Sequence, residues 1–372
     1  MTKSQTTIVI LIGVGTGIIL VALVGIALYY SSSSPSPPPQ ATVLPSSTIE
    51  PTSPAATIPA TLTPLPTNTP QPTSAPTPFP TPTRVSIAAG KIAFASDRSG
   101  DFDIYVMNTD GTGQIQLTSN PAMEESPTWS SDGSRIAFIS DRDGDVEIYV
   151  MDADGSNQIR LTDSQGFDGD PAWSPDGTLI VFSSLRDDNS EIYVMNTDGT
   201  GLVRLTENEA HDWGPVWSPD GTRIAFVSER DGDAEIYVMN ADGTDQINLS
   251  NSPTRVDTEN PDLASNDKDP AWSPDGSLIA FTSDRHSTVS EETDTLNTEI
   301  YVMNADGTNQ TRLTHHMGWD ESPAWSPDGE HIVFIASVGA SDWEVFRVDV
   351  EETIPVNLTN NPANDVAPAW SP

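Results

Sequence analysis

No cysteine occurs in the 372 residues, which excludes disulfides, thiolate catalysis and cysteine-linked lipids. Basic residues are scarce: 16 Lys and Arg face 54 Asp and Glu, for a formal net charge of −38. Residues 1–84 contain only Lys3, Arg84 and Glu50 of these types, so the imbalance belongs to the rest of the chain. Such a surface repels nucleic-acid phosphates and anionic lipid headgroups, and attracts cations and basic partners. A nucleic-acid partner is not expected.

One long apolar run is present, at residues 8–29, "IVILIGVGTGIILVALVGIALY", with no charge in it. As a helix it would be about 33 Å long, enough to cross the hydrocarbon core. A cleaved signal peptide has an apolar region of only about 7–15 residues, so an uncleaved signal anchor over 8–30 is the better reading. Lys3 precedes the span, which leaves 1–7 in the cytoplasm and the remainder on the extracytoplasmic side, periplasmic or at the cell surface. Gly13 and Gly17 have the spacing of helix-dimer pairs, a pattern that glycine-rich apolar runs also produce by chance. Residues 31–84 are dominated by Pro, Thr and Ser and hold half of the 32 prolines. They lack the apolar residues to bury a core, and read as a disordered, extended stalk of about 3.1 Å per residue where polyproline-like.

From Lys91 the chain repeats. "IAF" or "IVF" recurs at Ile92, Ile136, Ile180, Ile224, Ile279 and Ile332, and "IYVM" follows at Ile104, Ile148, Ile192, Ile236 and Ile300, becoming "VFRV" at Val345. Tryptophans at 129, 173, 217, 272, 325 and 370 are spaced 44, 44, 55, 53 and 45 residues apart. A period near 44 built from short β-type runs is the mark of a propeller. Each unit reads as four strands: a, "PAWS"; b, "IAFIS"; c, "EIYVM"; and d, ending in "RLT". "SPDG" suits the a–b turn, and "NADGT" suits a c–d hairpin with glycine in the left-handed region.

The first unit has no strand a, and the closing "PAWSP" is a strand a alone. Joined, they make six complete blades. The expected fold is therefore an all-β, six-bladed β-propeller over 85–372, closed by the C-terminal strand and preceded by one transmembrane helix and the linker. Closure removes exposed sheet edges.

These residues resemble the TolB-type, WD40-like propeller repeat, whose signature is close to P-A-W-S-P-D-G-x-x-I-A-F followed by E-I-Y-V-M-N-x-D-G-T. The resemblance spans 91–372 and implies the fold. The α/β domain of TolB has no counterpart here, so membership of the Tol–Pal machinery is not expected. Similar propellers precede α/β-hydrolase domains in prolyl-oligopeptidase-like enzymes, but no G-x-S-x-G is present.

Function is expected on the variable face, formed by the d–a and b–c loops. Two insertions belong to it, residues 251–269 and 286–298. Trp213 and Trp319 are placed in d–a loops beside His211 and His315–His316, with His286 in the second insertion; together they form the candidate ligand-binding face. Imidazoles there suit a metal, and some TolB-like propellers resemble metal-dependent pectate-type lyases. No histidine pair has ligand spacing, so a non-catalytic protein- or glycan-binding role leads and the lyase is the alternative. "DRDGDVE" (141–147) reads as a b–c turn in preference to a calcium loop. Arg98, Arg142, Arg186, Arg230 and Arg285 are expected to pair with neighbouring acids. Three residues before each strand-a proline stands a carboxylate: Glu124, Asp168, Asp212, Asp267, Asp320 and Asp365. They are expected to ring one mouth of the channel, either capping their own loops or holding a hard cation such as calcium. No other cofactor is implied. The expected assembly is a monomeric propeller.

Overall fold

The "IAF" and "IYVM" strands carry apolar side chains on both faces, so each sheet must be covered twice; stacking around a ring does this. The computed structural model describes residues 90–251, 265–285, 297–315, 318–339, 342–351 and 354–372. The anchor, the stalk and the central parts of both insertions (252–264 and 286–296) lie outside these residues. No helix among the described residues is long and apolar enough to cross a membrane.

The described strands form six four-stranded antiparallel sheets. Blade two runs from strand a (Glu124–Trp129) through b (Arg135–Ser140) and c (Glu147–Asp152) to d (Ile159–Arg160). The a strands of blades three to six are Asp168–Trp173, Asp212–Trp217, Asp267–Trp272 and Asp320–Trp325. Blade one takes b, c and d from Lys91–Ser96, Asp103–Asn108 and Ile115–Gln116, and its strand a is Asp365–Trp370. The expected closure is thus observed. Ala93 pairs with Ala369, and the Ser371 amide donates to the Lys91 carbonyl at 2.8 Å.

The core lies between blades. Phe94, Tyr105 and Met107 of blade one pack with Val333, Val345 and Leu358 of blade six, while Ala93 and Ile104 face Trp129 and Phe138 of blade two. In blades one to five the strand-b phenylalanine packs on the tyrosine of its own "IYVM", as Phe94 does on Tyr105 at 5.7 Å, and in blade six Phe334 meets Phe346. Tryptophans of strand a seal the seams: Trp325 and Trp370 donate their indole N–H to the carbonyls of Ala271 and Ala324 in the preceding blade, at 3.2 and 3.1 Å.

Strand a begins three residues earlier than expected, at the carboxylate, and it is bulged. Pairing with strand b shifts register between Gly169 and Ala172 in blade three, and at the matching point of the other blades. The residue in the bulge has a left-handed φ every time: Ser126 52°, Asp170 51°, Gly214 59°, Asp269 54°, Ser322 55° and Ala367 52°. A proline follows each, at an inner edge where its missing N–H costs no ladder bond.

Candidate functional site

Three places carry chemistry: the channel, the seams on the loop face, and the entry to blade six. The channel has a volume of about 190 Å³ and is lined by the bulge residues and the prolines after them. Two of its lining residues are charged, Asp170 and Asp269, and further charged groups stand one position earlier in strand a. Asp170 accepts from Ser183 Oγ at 2.8 Å and the Gly214 amide at 3.3 Å, and burial pushes its carboxyl up to about 6. Asp269 is also raised by burial, against the opposing charge of Lys268. Lys268 itself reaches Glu321 at 2.9 Å, bridging blades five and six. In blade two, burial pushes Glu125 up to about 7, with Asp141 adding to the rise.

The six carboxylates expected at the channel mouth lie elsewhere. Glu124, Asp168, Asp212, Asp267, Asp320 and Asp365 are all fully buried, and the channel is lined two residues further along. As the first residue of strand a, each of them except Asp320 turns into its own blade. Five meet an arginine from the b–c loop: Arg142, Arg186, Arg230, Arg285 and Arg98, the last at 2.7 Å from Asp365. The guanidinium lies over the aromatic pair of its own blade. Arg186 sits 4.9 Å from the Tyr193 ring and 5.5 Å from that of Phe182, and its Nε donates to Ser184 Oγ at 2.7 Å. Six like charges do not converge there; five charge-assisted pairs are inserted between blades.

A second set of acids completes the seams. Asp103, Glu147, Glu191, Glu235, Glu299 and Glu344 stand at or near the start of strand c and accept a hydroxyl hydrogen bond from Thr118, Thr162, Thr206, Ser250, Thr314 and Thr359 near strand d. Each stands beside the next blade's strand-a carboxylate, so Glu147 is raised by burial with Asp168 adding to it. The signal was present in the repeated "E" before "IYVM", which reads as an ordinary exposed strand end.

Blade six breaks this pattern. Ala336 and Val338 stand where other blades have the serine and arginine of the clamp. Asp320 lies instead against Thr314, Glu299 and Arg312 of blade five; burial, reinforced by Glu299, pushes it up to about 8. Val338 is left 42% exposed, close in sequence to Trp343, which meets Trp319 edge-to-face at 6.2 Å. Trp319 is itself 36% exposed.

The expected aromatic and histidine face divides. Trp213 is not in a loop: it is the second residue of strand a in blade four, pairs with Val227 and packs on the core between blades four and five. Alternate residues of a strand face opposite sides, and position 213 faces the seam. His211 is exposed and accepts the Ser190 amide at its Nδ1, 3.1 Å away. His315 is exposed at the entry to blade six, two blades further round. His286 and His316 lie outside the described residues. Among the described residues, the metal-ligating atoms that gather within 4.8 Å are those of Asp328, Glu330 and His331, in the a–b turn of blade six, and include neither His211 nor His315. His331 gives no signal in the sequence alone, because it occupies a position filled by Arg or Leu in four other blades.

Residues 79–166 and 160–260 match the family model described as the TolB beta propeller domain. An uncharacterised peptidase, YuxL of Bacillus subtilis (strain 168), is 36% identical over 74 residues, which are 20% of this chain and only 10% of that protein. Among solved structures, TolB from Acinetobacter baumannii superposes with a TM-score of 0.63 at 23% identity, covering 76% of this chain and 67% of that one. An oligogalacturonate lyase in complex with manganese gives 0.52 at 15% identity, over 72% and 73% of the two chains. At these identities the structural likenesses speak for fold alone. Over residues 79–260 the family model identifies a TolB-type β-propeller, and repeat sequence and blade order continue the same design around the rest of the ring.

Proposed function

We propose that this chain is a non-catalytic, protein-binding scaffold, held outside the cytoplasm by residues 8–30 and spaced from the membrane by the 31–84 stalk, with its contact face centred on the entry to blade six. The observation that carries this reading is the Trp319–Trp343 pair beside exposed Val338, where the blade has lost its arginine clamp. Aromatic side chains on a rigid rim are the usual anchors of protein interfaces, and an apolar cluster in so acidic a surface is costly unless covered. The insertions at 251–269 and 286–298 of the neighbouring blade are expected from the sequence on the same face. The metal-dependent lyase remains the second reading, supported by the manganese-containing fold neighbour.

The test is photo-cross-linking on intact cells from a residue beside the patch, comparing parent with Trp319→Ala and Val338→Arg, the second restoring the repeat. Both should lose the captured protein while keeping the parent's melting temperature. Capture unchanged in both variants overturns the assignment, and ultraviolet-absorbing products from acidic polysaccharide with manganese would move the reading to the lyase.

A further inference from the structure

We propose that the a–b turn of blade six binds a borderline divalent transition cation such as zinc, ligated by Asp328, Glu330 and His331 with Asp349 orienting the imidazole. The ligand atoms of the first three lie within 4.8 Å of one another. The turn is built to one pattern elsewhere. In blades two to five the aspartate three residues before strand b, namely Asp132, Asp176, Asp220 or Asp275, accepts a hydrogen bond at 2.6–2.9 Å from the hydroxyl residue just before that strand, Ser134, Thr178, Thr222 or Ser277. Blade six has Glu330 at that position, which replaces a donor by a second anion. Asp328 still caps the turn, accepting from Ser326 Oγ at 2.5 Å and the Glu330 amide at 3.0 Å, so its charge is fixed beside the new one. Two carboxylates so placed attract a cation.

The next residue supplies a nitrogen. His331 stands where other blades have Lys91, Arg135, Leu179, Arg223 and Leu278. It pairs directly across the b–c ladder with Asp349, and its Nε2 lies 2.9 Å from Asp349 Oδ1. A carboxylate at hydrogen-bond distance fixes the proton of a neutral imidazole on that nitrogen and leaves a lone pair on the other. That other atom, Nδ1, is 3.7 Å from Asp328 Oδ1, too far for a hydrogen bond. Two ligands of one tetrahedral zinc, each about 2.1 Å from it, lie roughly 3.4 Å apart. One histidine with two carboxylates suits zinc, nickel or copper, where an all-oxygen set would suit calcium. The two replacements, Glu330 and His331, fall in one blade, on the face opposite the proposed contact surface.

The competing account is a doubly protonated His331 bridging Asp328 and Asp349 with no metal. Calorimetric titration of the full-length chain, in non-ionic detergent at neutral pH, with zinc chloride separates the two. One equivalent should bind in the presence of millimolar calcium, and Asp349→Asn should weaken it by about 10–100-fold. His331→Arg, which restores the residue of blades two and four and so keeps the fold, should abolish it; His331→Gln is the second removal. His211→Gln and His315→Gln should behave like the parent. Absence of zinc binding, its retention in both His331 variants, its loss in the His211 or His315 variant, or its displacement by calcium would each overturn the proposal.

Discussion

Asp168 and Arg186 form a forked contact across the rim of blade three: Nη2 of the arginine lies 2.9 Å from one carboxylate oxygen and 3.1 Å from the other. Asp168 is fully buried and Ser184 completes its shell from 2.5 Å. Removing the arginine alone strands a buried anion, so Arg186→Met should destabilise the ring by about 3 kcal/mol in urea titration. Arg186→Met with Asp168→Leu should cost less than the sum of the single changes. Because the guanidinium already occupies these oxygens, any melting shift from millimolar calcium should be equal in the parent and in Asp168→Asn/Asp267→Asn/Asp365→Asn. A larger shift in the parent would return calcium to this ring.

Stability should depend on pH in a direction set by the buried acids. Asp320, Glu125 and Asp170 are pushed up to about 8, 7 and 6, each chiefly by burial. Their folded values exceed the unfolded ones, so the folded chain holds more protons, and stability falls as pH rises through this range. The exposed turn acids Asp220 and Asp275 are held down to about 2 by hydroxyl and amide donors, and act oppositely as pH drops below about 4. The melting temperature should peak near about pH 5 and decline toward pH 8. Asp320→Asn with Glu125→Gln should flatten that decline. A parent melting temperature that is level or rising from pH 6 to 8 would refute the assignment.

Glycines of the c–d turns press on the preceding blade. A Cβ on Gly243 would lie 2.6 Å from the Leu205 carbonyl oxygen, at φ +86°, whereas one on Gly232 would meet nothing within 4 Å, at φ +106°. Gly243→Ala should therefore cost about 2 kcal/mol more than Gly232→Ala, because only the first adds a backbone clash to the strain. Equal melting temperatures for the two variants would show that the seam yields.

Strand identity and ring closure were legible because "IAF", "IYVM" and "PAWSPDG" recur at a fixed offset, and repetition averages away local ambiguity. The strand-a acids were legible as a series, but not their direction. Sequence spacing does not reveal a bulge whose six occupants are Ser, Asp, Gly, Asp, Ser and Ala, and that bulge decides which residue faces the channel. Trp213 was misplaced for the same reason: the strand begins before its proline, so a residue assigned to the loop belongs to the ladder. The Glu330–His331–Asp349 group was readable only as a departure from the repeat, visible once the ladder sets His331 opposite Asp349.

Blades two to six draw their strands in order along the sequence, but blade one does not. The Lys91 amide donates to Ser371 Oγ at 2.9 Å across a separation of 280 residues. Loop-closure entropy grows with the logarithm of that length, and contacts so distant form late. During folding, therefore, strand b of blade one stands as an unpaired apolar edge while the rest of the ring assembles. That interval is when a second copy can pair with it, so folding yield should depend on concentration even though the finished ring offers no such edge.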